Sequence, residues 1–170
     1  MKSKIFLQFI IYLISTSTLT TSALAQQTIK TDGAYVNELK VGSKYTEKQI
    51  FDALGGNPTK IEVDTEYPDL YIYYYDGDTF YRKGDVFFGC ELQSNRFSFA
   101  NMVKTGNDIS VIDNLHGVST DKKIDSQYYE GAVYWKPATS DIYGWEWLNV
   151  IFYYDKNNKI VSITAVVEFI

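Results

Sequence analysis

One stretch, Val41–Pro58, VGSKYTEKQIFDALGGNP, constrains the fold more than any other. Thr46 is a favourable N-cap, and Gln49 three positions on completes a capping box, each side chain satisfying the other's free backbone amide. Tyr45 and Ile50 have the spacing of a hydrophobic staple across that cap. Ile50, Ala53 and Leu54 then share one helical face, with Phe51 at its edge. Gly55–Gly56 suits the left-handed conformation that ends a helix, and Pro58 prevents its resumption. A helix of about two turns is too short to stand alone, so it must lie on something larger.

A looser copy recurs at Val103–Gly117, VKTGNDISVIDNLHG. Here Asn107 or Asp108 is the cap, Ile109, Ile112 and Leu115 form the apolar face, and Gly117 is the stop. Each signal precedes a strand-rich tract. The chain therefore reads as an α+β protein of two tandem units, each a short helix followed by an antiparallel meander. The two meanders are expected to form one curved sheet, with helices near Glu47–Leu54 and Asp108–His116 packed on one face. The boundaries are residues 1–25 for a signal peptide, 26–40 for a lead-in, 41–102 for the first unit and 103–170 for the second.

The signal peptide is read from Lys2 and Lys4, the apolar run Ile5–Ile14, and the Ala23-Leu24-Ala25 cleavage site. The run is shorter than the roughly 20 residues a membrane span needs. No cysteine follows the cleavage site to carry a lipid, so the expected location is periplasmic or secreted. Loss of two lysines leaves 14 basic residues against 21 acidic ones, a net charge near −7. That balance, without a basic run, argues against nucleic acid or anionic lipid as partner. Cys90 is the single cysteine, so no intramolecular disulfide can form and the core must supply the stability.

Strands are expected at Lys60–Glu66, Leu70–Tyr75, Thr79–Arg82, Val86–Leu92 and Arg96–Met102. Asp76-Gly77 marks a two-residue hairpin between the second and third of these. In the second unit strands are expected at Tyr128–Trp135, Trp145–Tyr154 and Lys159–Phe169, the last two joined by Asp155-Lys156-Asn157-Asn158. Val161, Ile163, Ala165, Val167 and Phe169 share a face, the alternation of a sheet covered on one side.

Gly42, Thr46, Ile50, Leu54, Gly55 and Pro58 fit a short signal in which glycine, a capping hydroxyl, two apolar helix positions, glycine and proline precede an antiparallel meander. In this the chain resembles the β-lactamase inhibitory protein-like fold and its relatives among small outer-membrane assembly lipoproteins. The second copy keeps Gly106, Val111, Leu115 and Gly117 but lacks the threonine cap and the proline. The resemblance covers almost the whole chain after residue 25. It implies a non-enzymatic protein that binds other proteins through the open face of its sheet and an acidic hairpin loop, here Asp76 and Asp78.

The residues themselves offer little catalytic chemistry. His116 is the single histidine, placed to favour the dipole of the second helix rather than to react. Cys90, between Phe88 and Leu92, reads as a small buried hydrophobe. No zinc set, nucleophile elbow, phosphate loop or dinucleotide fingerprint occurs, and Asp64, Glu66 and Asp69 lack the glycine and terminal glutamate of an EF-hand. No cofactor or metal is expected. Glu146, between Trp145 and Trp147, leaves glycoside cleavage as a remote reading.

More aromatic strand surface is present than two short helices can cover. Tyr71, Tyr73 and Tyr75 share one strand face, with Ile72 and Tyr74 on the other. Either core or recognition surface accounts for such rings, since Tyr and Trp dominate interface hot spots. The candidate partner-binding residues are Tyr73, Tyr75, Trp145 and Trp147, with Asp76 and Asp78 at the rim. A protein partner, a secreted or envelope enzyme, is the leading expectation. A sugar-binding module using the Trp/Tyr rings is the alternative.

Overall fold

The computed structural model describes residues 34–124, 126–138 and 147–168. The cleavage signal therefore lies outside the described residues, as do Trp145, Glu146 and the side chain of Trp147.

The described residues form ten strands and two short helical segments. They are β1 (Tyr35–Val36), β2 (Leu39–Lys40), α1 (Glu47–Ala53), β3 (Lys60–Val63), β4 (Leu70–Tyr75), β5 (Asp78–Lys83) and β6 (Val86–Leu92). A 3-10 helix, Ile109–Asn114, then leads into β7 (Gly117–Lys123), β8 (Gly131–Pro137), β9 (Trp147–Tyr154) and β10 (Ile160–Glu168). β1 and β2 pair with each other, and the other eight strands make one antiparallel sheet in the order β3-β4-β5-β6-β10-β9-β8-β7. Each half of the chain thus supplies a four-stranded meander, and the two meet through their last strands, β6 against β10.

The α+β class expected above is overturned. The described residues are 49% strand and 10% helical, those of a mainly β protein with two short helical segments. α1 forms as its signal dictates: Thr46 accepts from the Gln49 amide and the Gln49 side chain accepts from the Thr46 amide, at 3.3 and 2.8 Å. The second signal makes only a 3-10 helix. Its Asp108 cap accepts from the Ser110 amide, but no reciprocal side chain closes a box. Three of its six residues, Ile109, Val111 and Ile112, are β-branched and lose rotamer freedom in an α-helix. His116 lies beyond the end of that helix, so it has no last turn to stabilise. Gly117 opens β7 instead of stopping a helix, and a Cβ on it would run into the indole of Trp135 and the Lys136 carbonyl.

Both helical segments feed one buried cluster on the inner face of the sheet. Ile50, Leu54, Ile112 and Leu115 all belong to it. Phe51 meets the edge of the inward Tyr73 ring at 5.1 Å. Arg96–Met102, expected as a strand, instead folds across this face as an irregular segment. Ala100 and Asn101 take left-handed backbone, φ 50° and 55°, which turns the chain so that Phe99 and Val103 bridge. Phe97 and Phe99 point down into the core, edge-on to Phe80 and to Trp135 and Phe152 respectively. β1–β2 lies beside this segment, with Ala100 and Asn37 donating amides to the Tyr35 and Ser98 carbonyls.

The hairpin at Asp76-Gly77 has φ 47° and 101°, the mirror-image turn that matches strand twist, and Tyr75 pairs with Asp78 across it. In β10 the expected alternation holds for the buried Ile163, Ala165 and Val167. A bulge between Ile160 and Ser162 takes Val161 out of that series.

Candidate functional site

The inner face is covered. On the outer face half-buried side chains gather, and Tyr129 of the β7–β8 connection packs there against Tyr153. Register fixes which residues share it. Across six adjacent strands Tyr74, Thr79, Glu91, Thr164, Ile151 and Tyr134 stand in one row. The next row runs Ile72, Tyr81, Gly89, Val166 and Asn149. Tyr153, opposite Ser162 on β10 and Ala132 on β8, flanks them.

The sequence-derived site residues fall elsewhere. Tyr73 and Tyr75 are inward, 0% and 1% exposed, and present no ring to a partner. The Tyr73 hydroxyl donates to Glu47 at 2.9 Å and accepts from Arg82 at 2.7 Å, while the Tyr75 hydroxyl donates to the Gly56 carbonyl at 2.8 Å. Burial pushes both phenols up to about 12. These two rings tie α1 and its glycine stop to the sheet.

Asp78 is also no rim residue. It is fully buried and accepts from the Gln93 and Ser94 amides at 2.7 and 2.8 Å, and from the Ser94 hydroxyl. Its carboxylate closes the turn after β6. Asp76 is exposed at the hairpin tip, 3.4 Å from Arg96. Trp147 pairs through its backbone with Glu168, on the register of the outer face. Trp145 lies outside the described residues; Tyr73, Tyr75 and Asp78 are buried while Asp76 is exposed, so these four do not form one surface.

The outer face holds what sequence reasoning passed over: Tyr74, Tyr81, Tyr134, Tyr153 and Glu91. The β4 alternation already separated Tyr74 from Tyr73 and Tyr75, and only the choice of face was wrong. At the margins of the face the chain's own lysines sit over tyrosine rings, Lys60 over Tyr74 at 5.4 Å and Lys122 over Tyr134 at 4.6 Å. The Tyr74 hydroxyl donates to Glu62 at 2.6 Å, and that carboxylate is the main reason its phenol is raised. Tyr129 lies against Tyr153 at 4.7 Å, with the ring planes 31° apart. Burial drives Tyr81 up to about 12, reinforced by the negative charge of Glu91.

Gly89 sits where the two meanders join. A Cβ there would collide with the Ala165 carbonyl and lie 2.9 Å from the Cα of Val166. The glycine leaves the face low at this junction, between Tyr81 on β5 and Val166 on β10.

Cys90 is inward, and burial pushes its thiol up, away from the reactive thiolate. Among the described residues no group of three His, Cys, Asp or Glu side chains is placed to hold a metal ion. Comparison with protein-family models, with curated proteins and with solved structures finds no match.

Proposed function

We infer that this chain is an exported, non-enzymatic protein-binding domain, an inhibitor of or accessory to a secreted or envelope enzyme. The observation that carries the reading is the outer sheet face: four half-buried tyrosines in register, with small residues and a carboxylate between them. A sheet side left uncovered tends toward polar residues, so retained aromatics are explained by contact. The resemblance to the β-lactamase inhibitory protein-like fold supports the same reading, as does the junction of two four-stranded meanders into one continuous surface.

A sugar platform needs two or three coplanar rings along a groove. The rings on this face meet each other or a lysine instead: Tyr129 against Tyr153, Lys122 over Tyr134, Lys60 over Tyr74. Protein contact is therefore the better supported of the two readings.

The test is affinity capture from the native envelope and culture medium, run in parallel with the parent chain, Tyr153→Ala and Tyr81→Ala. A protein captured by the parent and lost with both variants supports the reading. Capture that survives both changes, or binding to glycans with no protein captured, contradicts it.

A further inference from the structure

We propose that the partner inserts a lysine or arginine side chain into the low middle of the outer face, with Glu91 as its counter-charge and Tyr81 and Tyr153 as the flanking rings. The proposal rests on the protein-binding reading and names the chemistry that the partner must present.

Glu91 is central in the sheet, paired with Thr79 on β5 and Thr164 on β10. Around it the outward side chains are short: Thr79, Thr164 and the bare Gly89. Beyond them stand Ile151 on β9 in the same row, Tyr81 on β5 in the row of Gly89 and Val166, and Tyr153 on β9 in the row on the other side, so the two rings flank Glu91 diagonally from β5 and β9. Those strands are three spacings apart, roughly 14 Å. Glu91 acts electrostatically on both phenols, and burial together with that charge raises them, so both rings stay neutral at physiological pH. Neutral, half-buried rings on either side of a carboxylate suit a cation with an apolar stem.

Among the described residues no cation pairs with Glu91 at the centre of the face. Its carboxylate accepts a hydrogen bond from the Gln93 side-chain Nε2 at 2.8 Å. The margins differ, since Lys60 and Lys122 already lie over Tyr74 and Tyr134. Those two contacts show the tyrosine–cation geometry that this face favours, and leave the central carboxylate for a cation from outside. An incoming guanidinium would gain a charge-assisted pair with Glu91 and stack on a ring at once. The net charge of −5 favours a basic partner surface. An open sheet face encloses no small molecule, so a side chain carried on a broad protein surface fits it better than a free ion.

The test titrates the isotope-labelled chain with two probes that differ only in charge, N-acetyl-arginine amide and its neutral isostere N-acetyl-citrulline amide. The arginine probe should shift the amide signals of Glu91 and Thr164 and the ring signals of Tyr81 and Tyr153 saturably. The citrulline probe should bind roughly tenfold more weakly or less, and Glu91→Gln should remove the difference between the two. Equal responses to both probes, a response confined to the Lys60 and Lys122 margins, or no effect of Glu91→Gln would each overturn the proposal. With a captured partner the two readings separate. Full affinity for Glu91→Gln but lost affinity for Tyr153→Ala overturns the cation proposal and leaves protein binding standing. Full affinity for both variants overturns the outer face as the binding surface as well.

Discussion

Gly89 and Val166 stand opposite each other where the two meanders join, and their backbones approach so closely that no side chain fits on Gly89. The pair lies in the β6–β10 seam that links the two halves in the strand order of the described residues, together with Ile163–Leu92, Thr164–Glu91 and Ala165–Cys90. Gly89→Ala should push β10 away and cost about 1–3 kcal/mol, the usual range for overpacking. A denaturant melt checks it, and an unchanged midpoint would show that the seam is looser than its geometry.

Leu54 follows the last turn of α1 and is 2% exposed in the core cluster. Leu54→Ala should cost about 2–5 kcal/mol, as for other buried leucines. A thermal melt that loses nothing would count against α1 as an anchor of the inner layer.

Asp78 collects three hydrogen bonds from Gln93 and Ser94 with no exposure to water. Removing its acceptor leaves the part-buried Gln93 and Ser94 donors without this partner, at a cost of about 1–3 kcal/mol. Asp78→Ala should therefore destabilise the chain clearly while Asp76→Ala, at the exposed tip of the same hairpin, changes stability little. Equal melting of the two variants would refute the structural assignment of Asp78.

Alkaline pH should unfold the protein through its buried phenols. Tyr73, Tyr75 and Tyr81 are raised from 10.0 to about 12, chiefly by burial. Their contribution is present below pH 10 and is lost as pH rises through about 12, because the unfolded chain releases these protons first. Tyrosinate absorbance should still be climbing near pH 12 in the folded chain, after the urea-unfolded chain has finished. Coincident titration curves would contradict the burial of these hydroxyls.

Local signals were legible and long-range ones were not. The capping box at Thr46 and Gln49 is written within four adjacent residues, and α1 forms there. In β4 the alternation separates Tyr73 and Tyr75 from Ile72 and Tyr74, but both sets are apolar and aromatic, so periodicity alone does not choose the inward one. That choice is made by Phe51 of α1, which lands on Tyr73, and by Phe97, which crosses from beyond β6 to meet Tyr75. Asp78 read as a hairpin rim because its partners, Gln93 and Ser94, arrive from the turn after the next strand, β6. β7 was missed because Gly117–Lys123 has no apolar face; every residue in it is exposed, and it is held by backbone pairing with β8, by Lys122 over Tyr134 and by the Tyr154 hydroxyl donating to Asp121.

The most direct test of the outer face as a protein-binding surface is a side-chain footprint of the captured complex, reading tyrosine modification with and without the partner. Tyr81, Tyr134 and Tyr153 should become protected, while Tyr67 and Tyr128, 53% and 73% exposed away from the low centre of the face, should keep their reactivity. Protection at Tyr67 or Tyr128 with none at Tyr81, Tyr134 and Tyr153 would contradict the account.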